Sequence, residues 1–259
     1  AGVASGIEVR GEAPTRGAGP QRVSFRAPQC APTLRRCSIV EQLFLLLRRD
    51  DGKAEQPLAQ PPTYGLSGAV LADLLLGGHI EIRDGKKPRV YVTTQGSAGH
   101  PVLDAALERL RQKDGKKLSS LVTDGKLNPG ENVAHSLANA GVIRIEPKRA
   151  LGLISARYPV LDPGPERELR ERLRAVIAGA TPDAHEAILL SLLLGMDLAQ
   201  YVLKEEKGSL ENKELKRRIE EVSDGGEIGA AVAKAIEEVR AAVMAAAITA
   251  ATVGAASSS

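Results

Sequence analysis

The sequence predicts a mainly α fold: a single helical domain around a central apolar helix bundle, with two short β-hairpins. Aromatic residues make up only 2% of the 259 and Trp is absent, so the core must be built from Leu, Val, Ile and Ala. That palette suits helix packing better than sandwiches. Hydrophobic content of 43% against 26% charged is that of a globular chain able to fold without disulfide or metal staples. From Leu169 to Val253 apolar residues also recur at helical spacing almost without a break.

Residues 1–37 are rich in Gly, Pro, Ala and Arg without apolar periodicity, the composition of a disordered arm. The folded domain is expected over residues 38–254. The arm holds six Arg against two Glu, so taking its +4 from the formal net charge of +3 leaves the rest at −1. This excludes the whole-domain basic footprint of nucleic-acid binders and requires any cationic site to be a local patch. Cys30 and Cys37 have no His nearby to complete a zinc site and read as reduced bystanders. A disulfide would suit an exported chain, but residues 1–37 lack the apolar core of a signal peptide, which points to the cytoplasm. Ala241–Ser259, the longest uncharged stretch, is too Ala-rich and too polar at its end to match the roughly 20 strongly apolar residues of a membrane span.

Ordered structure is expected to begin near Ser38, where Ile39, Leu43, Leu46 and Leu47 form a helical stripe that ends at Asp50-Asp51-Gly52. Pro57, Pro61 and Pro62 make Lys53–Tyr64 a loop, because proline removes donors and fixes φ. Val70, Leu71, Leu74 and Leu75 stripe a second helix, and Ile80-Ile82 with Val90-Val92 alternate about Asp84-Gly85 as a hairpin. Helices follow from Pro101 to Gln112 and Leu118 to Asp124. Asn128-Pro129-Gly130-Glu131 then supplies an N-cap, a first-turn proline and an acidic residue for a helix to Ala140. After Gly141, residues 142–146 and 151–154 read as a second hairpin around Pro147-Lys148-Arg149, so that helix plus hairpin occurs twice as a weak repeat. Further helices are expected around Leu169–Ile177 and over Pro182–Leu203, Leu215–Val222 and Ile228–Val253, with Leu189, Leu192, Leu193, Val239 and Val243 in the core.

Catalytic and cofactor signatures do not emerge. The sequence holds no Gly-rich phosphate loop, nucleophile elbow or H-E-x-x-H, and its four His, at 79, 100, 135 and 185, are isolated. Neither an enzyme nor a cofactor is expected. The alternating charges of residues 166–172 are ordinary for a solvated helix. The second hairpin differs, because Lys148 and Arg149 adjoin Leu151 and Leu153 in a projecting turn, a mixture suited to the membrane interface. Tandem helix-plus-wing units also describe a nucleic-acid binder. Against this, residues 68–76 and 130–140, which would be its recognition helices, carry no Lys or Arg to neutralise phosphates. A pure protein-interaction scaffold is the other alternative.

Several of these segments resemble the Golgi phosphoprotein 3 family. Gly141-Val142-Ile143 through Leu151 to Tyr158-Pro159-Val160 lies without a gap on that family's Gly-Val-Leu, hairpin, His-Pro-Leu stretch. The runs beginning at Glu41, Gly65 and Pro101 and the Ala-rich terminal helix follow in order, and Arg157–Pro163 is similar to the bacterial branch. The resemblance implies a helical domain with a membrane-inserting hairpin and a pocket for phosphatidylinositol 4-phosphate. It also implies a peripheral membrane protein that gathers cytosolic tails of membrane proteins. The family's pocket tryptophan falls near Leu58, one pocket arginine on Ser67, and two more within Leu127–Asn132, where no cation stands. Neither Ser67 nor Asn132 reproduces an arginine–phosphate fork. Arg144, Lys148, Arg149 and Arg157 remain, each contributing roughly 1 kcal/mol at an anionic surface. Self-association through an exposed hairpin edge is a further option.

Overall fold

Caps and apolar spacing together set where each helix starts and what it buries. The computed structural model describes residues 37–49, 51–54, 62–83, 85–147, 156–224 and 230–256, with 224, 230–233, 235–236 and 253–256 described by their main chain alone. These residues form α1 (Ile39–Leu46), α2 (Thr63–Leu76), β1 (Ile80–Arg83), β2 (Arg89–Val92), α3 (Pro101–Arg111), α4 (Leu118–Val122) and α5 (Gly130–Asn139). There follow α6 (Gly164–Ile177), α7 (Ala184–Gly195), α8 (Ala199–Val202), α9 (Asn212–Asp224) and α10 (Ala230–Ala256). The mainly helical fold class is borne out.

The start of α1 is capped twice. Ser38 Oγ accepts from the Glu41 amide, and the Glu41 carboxylate accepts in return from the Ser38 amide at 3.1 Å, a capping box. Asp73 then reaches across from α2, its two oxygens accepting from the amides of Ile39 and Val40, each at 3.0 Å. Four first-turn donors of a helix have no partner of their own, and here a carboxylate near the positive end of the dipole satisfies two of them. Thus α1 can be buried over its whole length.

The centre of the bundle is α2, α7 and α10, which pack on one another. All residues from Gly65 to Leu75 of α2 are buried, and Leu189, Leu192, Leu193, Val239 and Val243 are 0 or 1% exposed, as their spacing predicts. Gly68 permits the close crossing of α10, because a Cβ at that position would stand 2.6 Å from Val243 Cγ2. Around this centre, α1, α3 and α4 cover α2, while α6 and α9 cover α7. The β1–β2 hairpin pairs antiparallel, with Ile80 opposite Val92 and Arg83 opposite Arg89. No described helix is long and apolar enough to cross a membrane.

Three elements differ from expectation. The segment Pro182–Leu203 is two helices, because Asp197 adopts φ +57°. The amide of Leu198 bonds Leu193 O and that of Asp197 bonds Leu194 O, each at 2.9 Å, so α7 ends in a Schellman motif with aspartate in the place glycine usually takes. At α5 the helix begins one residue later than the cap pattern implies. Pro129 occupies the N-cap, and Asn128 Oδ1 accepts from the Gly130 amide at 3.1 Å. The second hairpin is reduced, among the described residues, to isolated bridges Ile143 with Val160 and Glu146 with Arg157. Its return segment is therefore 157–160, and 151–154 falls outside the described residues. Arg144 donates to Pro159 O at 2.9 Å, but Pro159 has no N–H to return, which breaks the ladder at that point.

Candidate functional site

The wing formed by residues 142–147 and 156–160 is tied to α1 at its base. Tyr158 donates its amide to Gly52 O at 3.2 Å, and its ring meets Phe44 edge-on at 5.4 Å between centroids. Gly52 is required there, since its φ is +77° and a Cβ would lie 2.4 Å from the Tyr158 and Pro159 backbone. From this base Arg144 and Arg157 point into solvent. Arg144 pairs with Glu146 at 2.8 Å, whereas Arg157 has no carboxylate partner among the described residues. The remaining expected wing residues, Lys148, Arg149, Leu151 and Leu153, lie outside the described residues.

The positions where a phosphoinositide pocket is expected differ in exposure. Leu58 lies outside the described residues. Ser67 is 1% exposed inside α2, whereas Asn132 is exposed on the first turns of α5. The two helix starts still adjoin, since a side chain at Gly130 would meet Leu66 at 3.8 Å.

Beside Asn132 is an open cavity of about 240 Å³, and its lining includes Arg109, Lys126 and Asn128. These two cations were not foreseen from the sequence. Arg109 comes from α3 and reaches the cavity only because α3 packs on α5, a contact that local pattern does not encode. Its field is felt nearby: Asp124 is held below the usual carboxylate range, first by the hydrogen bond from Lys113 and further by the charges of Lys113 and Arg109.

A buried polar group behind the α1 cap invites comparison with hydrolase triads. Glu41 Oε1 accepts from Ser136 Oγ at 2.6 Å and lies 3.2 Å from His100 Nε2. Nucleophilic activation needs serine bonded to histidine, with the carboxylate behind the ring. Here both residues bond the same carboxylate oxygen, so the group serves to satisfy Glu41. Burial pushes Glu41 up, but the bonds from His100 and Ser136 prevail and hold it below the usual range. Asp73 goes the other way. Burial outweighs its two amide bonds and raises it to about 6.

No curated protein matches the chain at a significant level. The family model of Golgi phosphoprotein 3 (GPP34) matches residues 39–239, which takes in all the helices from α1 to α9, both strands and the wing. On that match the chain belongs to the Golgi phosphoprotein 3 family.

Proposed function

We propose that this chain is a non-catalytic, cytoplasmic peripheral membrane protein that docks on acidic phospholipid headgroups and adapts membrane-protein tails to that surface. The observation that carries the reading is the family match over residues 39–239. The wing adds to it, because Arg144 and Arg157 are exposed on segments anchored to α1, and Lys148, Arg149, Leu151 and Leu153 continue the same chain. Basic residues drawn to an anionic leaflet, with leucines entering the interface, give reversible and salt-sensitive docking.

Headgroup choice then falls to the cavity beside Asn132. Since Ser67 and Asn132 bring no charge, Arg109 and Lys126 are the cations in reach of a phosphate there. The direct test is charge reversal on the wing. Replacing Lys148 and Arg149 by Glu removes two attractions of about 1 kcal/mol each, so partition onto phosphatidylserine vesicles falls at least about thirtyfold. Unchanged cosedimentation of that variant would remove the wing from the mechanism.

A further inference from the structure

A second basic site lies at the foot of the wing and goes beyond the membrane reading. Between the end of α1, one face of α6 and the end of α8 runs a groove of about 730 Å³, within the size range of small-ligand sites. Among the described residues, six cations line it: Arg48, Arg49, Arg167, Arg170, Arg174 and Lys204. Four described carboxylates, Asp51, Glu166, Glu171 and Glu205, share it. Counted with Glu206, which pairs with Arg170, the described groups keep a positive excess, which suits an anion.

These cations are not equally committed. Arg170 binds Glu166 at 2.8 Å and Glu206 at 3.1 Å, so its charge is already matched. Asp51 lies 3.2 Å from Lys53 and 4.0 Å from Arg49. Among the described residues, Arg48, Arg167, Arg174 and Lys204 have no carboxylate within ion-pair distance. Arg167 and Arg174 are exposed on α6 and, seven residues apart on one face, stand two turns or about 10.5 Å from each other.

Arg48 is the anchor. Its guanidinium lies 3.4 Å from the Phe44 ring centroid and 4.8 Å from that of Tyr158, and Nη1 donates to Phe44 O at 3.0 Å. Two rings and one carbonyl fix the plane. The Nε and Nη2 edge, which makes bidentate contacts to phosphate, has no acceptor among the described residues. Burial draws the group down to about 10, and among the described residues no carboxylate within ion-pair distance offsets that cost.

We infer that the groove between α1, α6 and α8 is a phosphate-monoester site, with the Nε–Nη2 edge of Arg48 gripping the phosphate and Arg167, Arg174 and Lys204 surrounding it. Glu171 and Glu205 stand as acceptors for hydroxyl groups on the body of the ligand. The phosphate is carried by a small soluble ester or by a lipid headgroup, and the test separates the two.

Inorganic phosphate is titrated into the full chain at low ionic strength and followed by calorimetry. One saturable site is expected, weakened at least tenfold in R48K, which keeps charge and stem but loses the fork, and at least tenfold in R167A/R174A. The double variant changes two exposed residues, so it carries the test should R48K fail to fold. No saturable binding, or an affinity unchanged in a folded variant, overturns the site. Phosphate that displaces the wing-reversed protein from phosphatidic acid vesicles more than sulfate does at equal ionic strength assigns the site to a headgroup, and phosphate that binds without that excess displacement assigns it to a soluble ester. Both assignments uphold the site, and neither depends on the wing, whose charge reversal leaves phosphate binding unchanged.

Discussion

Adding one methyl group at each of two glycines in α2 tests whether its crossing with α10 is as tight as the geometry requires. Gly65 and Gly68 are both buried, and replacing either by Ala gains about 1 kcal/mol of helix propensity. What the new Cβ meets differs. At position 68 it would stand 2.6 Å from Val243 Cγ2, 3.4 Å from Leu192 Cδ2 and 3.5 Å from Val239 Cγ1. Val239 and Val243 are β-branched and stiff, and all three neighbours are 0 or 1% exposed. Relief requires α10 to move away, and overpacking of this kind costs about 1–3 kcal/mol.

At position 65 the Cβ would stand 2.2 Å from Met196 Sδ. That clash is closer, but it is with the far end of a side chain with three rotatable bonds, which can swing aside at little cost. The expected order is therefore G65A up to about 1 kcal/mol more stable than wild type and G68A about 1–3 kcal/mol less stable than G65A. Urea unfolding followed by far-ultraviolet circular dichroism, with the slope checked for constancy, measures both. G68A equal to or more stable than G65A would show that α2 and α10 do not approach as described.

Three further outcomes are expected. Because burial raises Asp73 to about 6, its contribution to stability is complete below about pH 4 and is lost as pH rises through 6. The loss is about 3 kcal/mol at 1.36 kcal/mol per pH unit. Measured from pH 4 to 7, wild type should lose up to that much relative to D73N, and parallel profiles contradict it. Glu41, held low, works in the opposite sense, gaining stability as pH rises from the acid side, and is present in both proteins. Burial, aided by the charge of Glu41, raises Cys37 from 9.0 to about 11. Its alkylation by iodoacetamide at pH 8, read by peptide mass spectrometry, should run about a hundredfold slower than that of an unperturbed thiol. Finally, R109A/K126A should abolish any preference for phosphatidylinositol 4-phosphate over phosphatidylserine vesicles while leaving salt-sensitive binding to both. A preference that survives places the headgroup elsewhere.

Much of the fold could be read in the sequence because each helix carries its own signals. The apolar faces of α7 and α10 and the hairpin turn at Gly85 are local patterns, and they placed Leu189, Leu192, Leu193, Val239, Val243 and the β1–β2 pair correctly. The break at Asp197 was hidden, since Leu, Met and Ala continue through it and the left-handed residue is an aspartate rather than a glycine. The site was less legible for a related reason. Exposed Arg144 and Arg157 follow from the wing pattern, but the cavity beside Asn132 and the groove at Arg48 join residues from helices far apart in sequence. In Arg48 the informative fact is a ring-stacked guanidinium with no carboxylate within ion-pair distance among the described residues, which only packing reveals.

Cosedimentation of the purified chain with neutral, phosphatidylserine-containing and phosphatidylinositol 4-phosphate-containing vesicles at low and high salt decides whether it docks on acidic headgroups. Binding to both anionic compositions is expected at low salt, with its loss at high salt and none to neutral vesicles. Failure to bind either anionic vesicle at low salt would contradict headgroup docking.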